Sequence, residues 1–161
     1  MRACARLLLL SLVVCAGCAP PVDLSTGLEV QNVSSGWFDA GIQNGQNKLV
    51  PSVTFALKNL SSQNLPVLQV QAKFQRVTDA KEEWWTEFKT VAGSEGLAPG
   101  TTTQPLVLRS QKGYTGSNQS REEMLSNSHF IDAEVELTAK YGSTQWKRLG
   151  KYPVTRLLLT K

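Results

Sequence analysis

The sequence predicts an all-β protein, an antiparallel β-sandwich of seven to eight strands with one short helix. Three observations predict it. Apolar and polar residues alternate with period two over several stretches, as in strands packed on one face and wet on the other. Turn residues separate those stretches at short intervals. Only one segment has the chemistry of a helix start.

In chain order, residues 28–38 form a first, weaker strand, and Asn44-Gly45 is a tight turn. Val53, Phe55 and Leu57 alternate inward in the next run. After a turn over 59–64, Leu68, Val70, Ala72 and Phe74 alternate with Gln69, Gln71, Lys73 and Gln75. Thr78-Asp79-Ala80 turns the chain into a strand at 84–91, and Ala98-Pro99-Gly100 turns it into another at 103–110. Ser120-Arg121-Glu122-Glu123 has the capping-box form, with Met124 and Leu125 as apolar contacts of the one short helix. The cleanest alternation follows: Ile131, Ala133, Val135, Leu137, Ala139 and Tyr141 inward, charged and polar residues between. Residues 145–160 form the last strand region, which Gly150 and Pro153 should divide, with Pro153 at a strand start, bulge or edge. The runs at 53–57, 68–74 and 131–141 are the expected heart of the sandwich.

The first 18 residues read as an address. Arg2 and Arg6 make a positive n-region, residues 7–14 a short apolar h-region, and Cys15-Ala16-Gly17-Cys18 a cleavage box. A bilayer-spanning helix needs about 20 apolar residues, so this stretch is a signal and not a span. It resembles the type II signal peptide and lipobox of bacterial lipoproteins. That resemblance implies cleavage before Cys18 and acylation of its sulfur, with 1–17 as signal peptide, 18–27 as tether and 28–161 as one domain. It further implies a cell-envelope location, anchored by lipid. In a host with two membranes, Ala19 resembles the outer-membrane sorting pattern, with the domain facing the periplasm.

Without residues 1–17 the chain has 144 residues, enough for one domain that buries about two-thirds of its unfolded surface. Cys4 and Cys15 leave with the signal, so no internal disulfide is available and the core alone must hold the fold. Loss of Arg2 and Arg6 takes 17 basic side chains to 15 against 13 acidic ones. The one basic cluster, Lys147, Arg148, Lys151 and Arg156, is interrupted by Leu149, Gly150, Tyr152 and Pro153. Nucleic-acid footprints are denser, and no nucleic-acid partner is expected.

Residues 53–62, the strand ending at Phe74, and Gly96-Leu97-Ala98-Pro99-Gly100 before a further strand resemble small immunoglobulin-like, FxLYD-type sandwiches of bacterial envelope proteins. There an Asn-and-Ser turn joins two strands and a Leu-x-Pro-Gly turn introduces a later one. The resemblance implies an immunoglobulin-like fold and no particular chemistry.

Catalysis, metals and cofactors have little support. His129 is the chain's one imidazole, and no thiol remains to pair with it once Cys18 is acylated. A serine with His129 and Asp132 is the sole hydrolase arrangement on offer. Zinc needs several nitrogen or sulfur ligands at short spacing, and the aspartates are scattered, so no metal is expected. No glycine-rich phosphate loop or other cofactor motif is present. Aromatic residues are more suggestive. Trp84 and Trp85 are consecutive, so in a strand one ring faces the core and the other solvent. Core packing is the expectation for two or three of the four indoles, Trp85 and Trp37 are the better candidates for an exposed binding platform, and Tyr114, on the polar, glycine-rich segment 111–119, is a further binding candidate. The expected function is therefore a non-enzymatic envelope interaction or assembly module with a protein partner. A glycan- or peptidoglycan-binding module using exposed tryptophans is the alternative.

Overall fold

The computed structural model describes residues 20–78 and 83–159; the signal peptide, Cys18 and Ala19 lie outside the described residues. In chain order the elements are a helical turn α1 (Leu24–Gly27), β1 (Leu28–Gln43), β2 (Gln46–Asn59), β3 (Leu68–Arg76) and β4 (Glu83–Ala92). They continue with β5 (Leu106–Arg109), β6 (Tyr114–Gly116), helix α2 (Arg121–Ser126), β7 (Ala133–Tyr141), β8 (Lys147–Pro153) and β9 (Leu158–Leu159). One sheet runs β5-β2-β1-β9, with β6 also on β2, and the other runs β4-β3-β7-β8. The protein is mostly β and built of two sheets. Nine strands among the described residues exceed the seven to eight expected, because β6 and β9 are too short to show a period. β9 pairs with β1 in parallel, so the first sheet is mixed and not purely antiparallel. Two helical elements replace the one expected, α1 being a single turn.

Local chemistry explains the main elements. Asn44 and Gly45 both have positive φ, 51° and 76°, with Gln43 paired to Gln46. That is the two-residue type I′ hairpin, whose twist suits the strands it joins. On β7, Ala133, Val135, Leu137 and Ala139 are fully buried and alternate with half-buried polar residues. They pair with β3, whose Leu68, Val70, Ala72 and Phe74 face the same core. Val53, Phe55 and Leu57 of β2 supply the opposing layer.

Some boundaries differ from expectation. Ile131 is half-buried and precedes β7, and its carbonyl serves as a hydrogen-bond acceptor. Pro153 ends β8 on a sheet edge, but Gly150 sits inside the strand at a register shift and does not divide it. The tether expected over 18–27 is shorter, because its second half packs on the sandwich. Asp23 caps α1 by accepting from the Ser25 amide at 3.0 Å, Leu24 is buried, and the Val22 amide donates to the Tyr141 hydroxyl at 2.6 Å. One leucine among Pro20, Pro21, Asp23 and Ser25 has no period to reveal it.

The sandwich has two distinct ends. At its base the chain enters beside the connections 60–67, 93–105 and 142–146. At its far end lie the β1–β2 hairpin and the segment 110–132. Nine residues of β3 or β7 separate the two by about 30 Å.

Candidate functional site

Trp37, Trp85 and Tyr114 have three different fates. Trp37 is 0% exposed and belongs to the core, which corrects the expectation that it forms an exposed platform. The cause is a β-bulge. Gln31 pairs with Ala56 but Ser34 with Thr54, so one extra residue on β1 reverses the inward phase and turns Trp37 in. Trp85 is half-buried, and its indole N–H donates to Glu87 at 2.9 Å. A second bulge operates there: Glu83 pairs with Gln75 and Trp85 with Phe74, leaving Trp84 as the extra residue. Trp84 is buried, and Trp85 shares a face with buried Phe74 while remaining partly exposed.

Tyr114 stands at the centre of the far end. A Cβ on Gly113 would lie 2.0 Å from the Leu49 carbonyl oxygen, so glycine lets the chain cross β2 and enter β6. The Tyr114 ring then meets Trp37 at 5.6 Å, Trp84 at 5.1 Å and Phe130 at 4.7 Å between centroids. Its hydroxyl donates to the Ile131 carbonyl at 3.2 Å. Burial, opposed by the nearby Arg76 charge, raises its pKa above the ordinary 10.0, so the phenol is a neutral donor at physiological pH.

The surrounding segment is fastened from several directions. Ser120 accepts from the Glu123 amide and Glu123 from the Ser120 amide, the reciprocal box expected from the sequence. Met124 and Leu125 of α2 are buried, and Met124 lies over Gly116. Arg121 pairs with Asp39 at 2.9 Å, tying α2 to β1. Arg156 bonds Asp132 at 2.7 Å and donates to the carbonyls of Leu125 and Phe130 at 3.3 and 3.0 Å. Two recesses flank the Tyr114 ring. A small one, ≈ 170 Å³, is bounded by Gln119, Met124 and His129; a larger one, ≈ 410 Å³, by Lys48, Trp84 and Lys112. The result is an aromatic floor with a polar rim.

His129 is exposed and lies 3.5 Å from the hydroxyl of its neighbour Ser128, at the limit of a hydrogen bond. Asp132, the carboxylate that a hydrolase triad would need, binds Arg156. Among the described residues, no three His, Cys, Asp or Glu side chains gather as metal ligands. No helix among them is long and apolar enough to cross a membrane.

No family model matches this chain, and no curated protein does. A solved structure is similar in outline. It is the X-ray structure of Northeast Structural Genomics Consortium target SoR45, with 11% identity and a TM-score of 0.48 over 82% of this chain and 89% of that one. Likeness at that level transfers no role.

Sequence reasoning missed a second aromatic pair. Phe88 is 60% exposed, and its ring centroid lies 6.0 Å from that of half-buried Trp146. The Lys140 ammonium sits 5.1 Å from the Trp146 ring centre. The bulge at Trp84 is again responsible: strict alternation from a buried Trp84 would send Phe88 inward, and the extra residue sends it out.

Proposed function

We propose that the chain is a non-enzymatic, lipid-anchored cell-envelope protein, acylated on Cys18, whose single immunoglobulin-like sandwich is an interaction or assembly module. In a two-membrane host it faces the periplasm from the outer membrane. Acyl chains hold the domain on the bilayer and raise its effective concentration near a membrane-bound partner protein. One observation carries the reading: the segment around Tyr114 is fastened by a strand, a helix, ring contacts and ion pairs at the end opposite to chain entry. A preorganised surface loses less entropy on binding than a mobile loop. Asp132, the carboxylate of the one hydrolase arrangement in the sequence, is bonded to Arg156.

A photo-crosslinking residue at exposed Thr115 should give a discrete adduct with an envelope protein, and one at exposed Thr90 on β4 should not. Cys18→Ala should shift the protein from the membrane to the soluble fraction and abolish palmitate incorporation. Adducts of equal yield from positions 115 and 90 would refute the interaction surface. Unchanged fractionation of C18A would refute the anchor.

The Phe88–Trp146 pair favours a second reading, glycan or peptidoglycan binding. Phe88 pairs with Gln71, whose side chain accepts from the Thr138 hydroxyl on the next strand at 2.9 Å, a polar neighbour to the two rings suited to a sugar face. Soluble cell-wall fragments should then quench or blue-shift tryptophan emission in the wild type and leave Trp146→Phe unaffected. An unresponsive wild type would eliminate this reading.

A further inference from the structure

The described chain begins at the base of the sandwich and is bound there. The Pro20 carbonyl accepts from the Gln63 side chain at 2.9 Å, and the next bond follows at Val22. Cys18 precedes Pro20 by two residues, a reach of at most about 7 Å. An acyl group on that sulfur would therefore bring the base loops to the lipid headgroups.

Those loops display apolar side chains to solvent. Leu60 is 53% exposed and Val67 42%, both on the same connection as Gln63. Leu60 is held against the chain entry by its amide, which donates to the Gly27 carbonyl at 2.9 Å. Val67 has φ 50°, a left-handed conformation that β-branched residues avoid. It is pinned by its amide to the Gly93 carbonyl at 2.6 Å and by its carbonyl to the Gly142 amide at 3.3 Å. Asparagine or glycine would sit there with less strain. A branched apolar side chain held out to water in a disfavoured conformation needs a use.

We infer that the base of the sandwich docks on the bilayer that carries the anchor, with Leu60 and Val67 seated at headgroup level and the Tyr114 end pointing away. This rests on the reading of Cys18 as the acylated residue. Charge does not drive the contact, since this end carries Asp23, with Lys147 nearby, and Glu95 as well as Lys58. The anchor supplies proximity, and the two apolar side chains convert proximity into orientation. The surface left for a partner protein is then the far end, about 30 Å from the headgroups.

The test uses the full lipidated protein in vesicles of phosphatidylethanolamine and phosphatidylglycerol. An environment-sensitive fluorophore is placed on Ser62→Cys at the base or Ser128→Cys at the far end, both exposed positions. Nitroxide-headgroup lipids should quench the label at 62 and not at 128. Leu60→Asn with Val67→Asn should weaken quenching at 62 and narrow its difference from 128 while the protein stays folded, because asparagine tolerates the conformation at 67. Equal quenching at 62 and 128 in the parent protein, or a difference that the double substitution leaves unchanged, would overturn the docking. Intact mass separates the two failures. A protein without acyl mass overturns the anchoring reading and this inference with it, whereas an acylated protein unquenched at 62 overturns the docking alone.

Discussion

Trp37→Ala is expected to destabilise the domain by about 3–5 kcal/mol, the range for truncating a large buried aromatic. Folded domains hold only about 5–15 kcal/mol in total, so this single change removes a large fraction of the whole. Trp37 joins both sheets and the far end: its ring meets Trp84 at 6.3 Å, Phe130 at 4.6 Å and Tyr114 at 5.6 Å. Alanine would leave those three rings facing a void that none can fill without leaving its own contacts. Trp37→Phe should cost markedly less. Among the described residues no atom accepts from the buried indole N–H, so phenylalanine removes an unsatisfied donor along with some volume. Urea unfolding provides the measurement, with a lower midpoint and an unchanged slope as the expected signature. A loss under about 1 kcal/mol for Trp37→Ala would show that the ring is not the keystone its burial implies. A lost crosslink from position 115 in folded Trp37→Ala would further tie the Tyr114 surface to this support.

The same tryptophan shows how far the sequence can be read. Alternation identified β2, β3 and β7, because one buried face imposes a period of two on residues such as Val135, Leu137 and Ala139. The Ser120–Glu123 box was legible for a similar reason, since both partners lie within one turn. Trp37 was placed on the wrong face and Phe88 went unnoticed for one shared reason. Each follows a bulge that inserts a residue and reverses the phase, and nothing in the composition of residues 31–34 or 83–85 announces the insertion. The Tyr114 cluster was illegible in another way. It assembles rings from positions 37, 84, 114 and 130, so only the topology brings them together. Leu60 and Val67 carry no period either, and what sets them apart is exposure at the end where the chain enters.

Asn59→Ala is expected to cost about 3 kcal/mol, because it strips partners from several backbone groups at once. Asn59 is fully buried at the end of β2. Its amide donates to the carbonyls of Gln63 and Leu97, both at 2.8 Å, and its oxygen accepts from the Ser61 amide at 2.9 Å and hydroxyl at 2.7 Å. One side chain thus ties the Asn-and-Ser turn to the Leu97-Ala98-Pro99-Gly100 turn. That is the physical content of two motifs that read in sequence only as separate turns. Asn59→Asp discriminates between two explanations. If turn preference were the whole role, aspartate, which favours the same turns, would replace asparagine freely. If the buried donation matters, aspartate sets oxygens against two carbonyls and unfolds the domain as readily as alanine at neutral pH. Burial, with the second carboxylate oxygen set against two carbonyls and outweighing the Ser61 donors on the first, would then raise its folded pKa above the unfolded value of about 3.9. Protonation is favoured in the folded state in that case, so the deficit relative to wild type grows as pH rises through the unfolded pKa and shrinks on acidification. Thermal unfolding of wild type and Asn59→Asp at pH 7 and in the acid range measures that difference, and equal stability of the two at both pH values would leave the turn explanation standing.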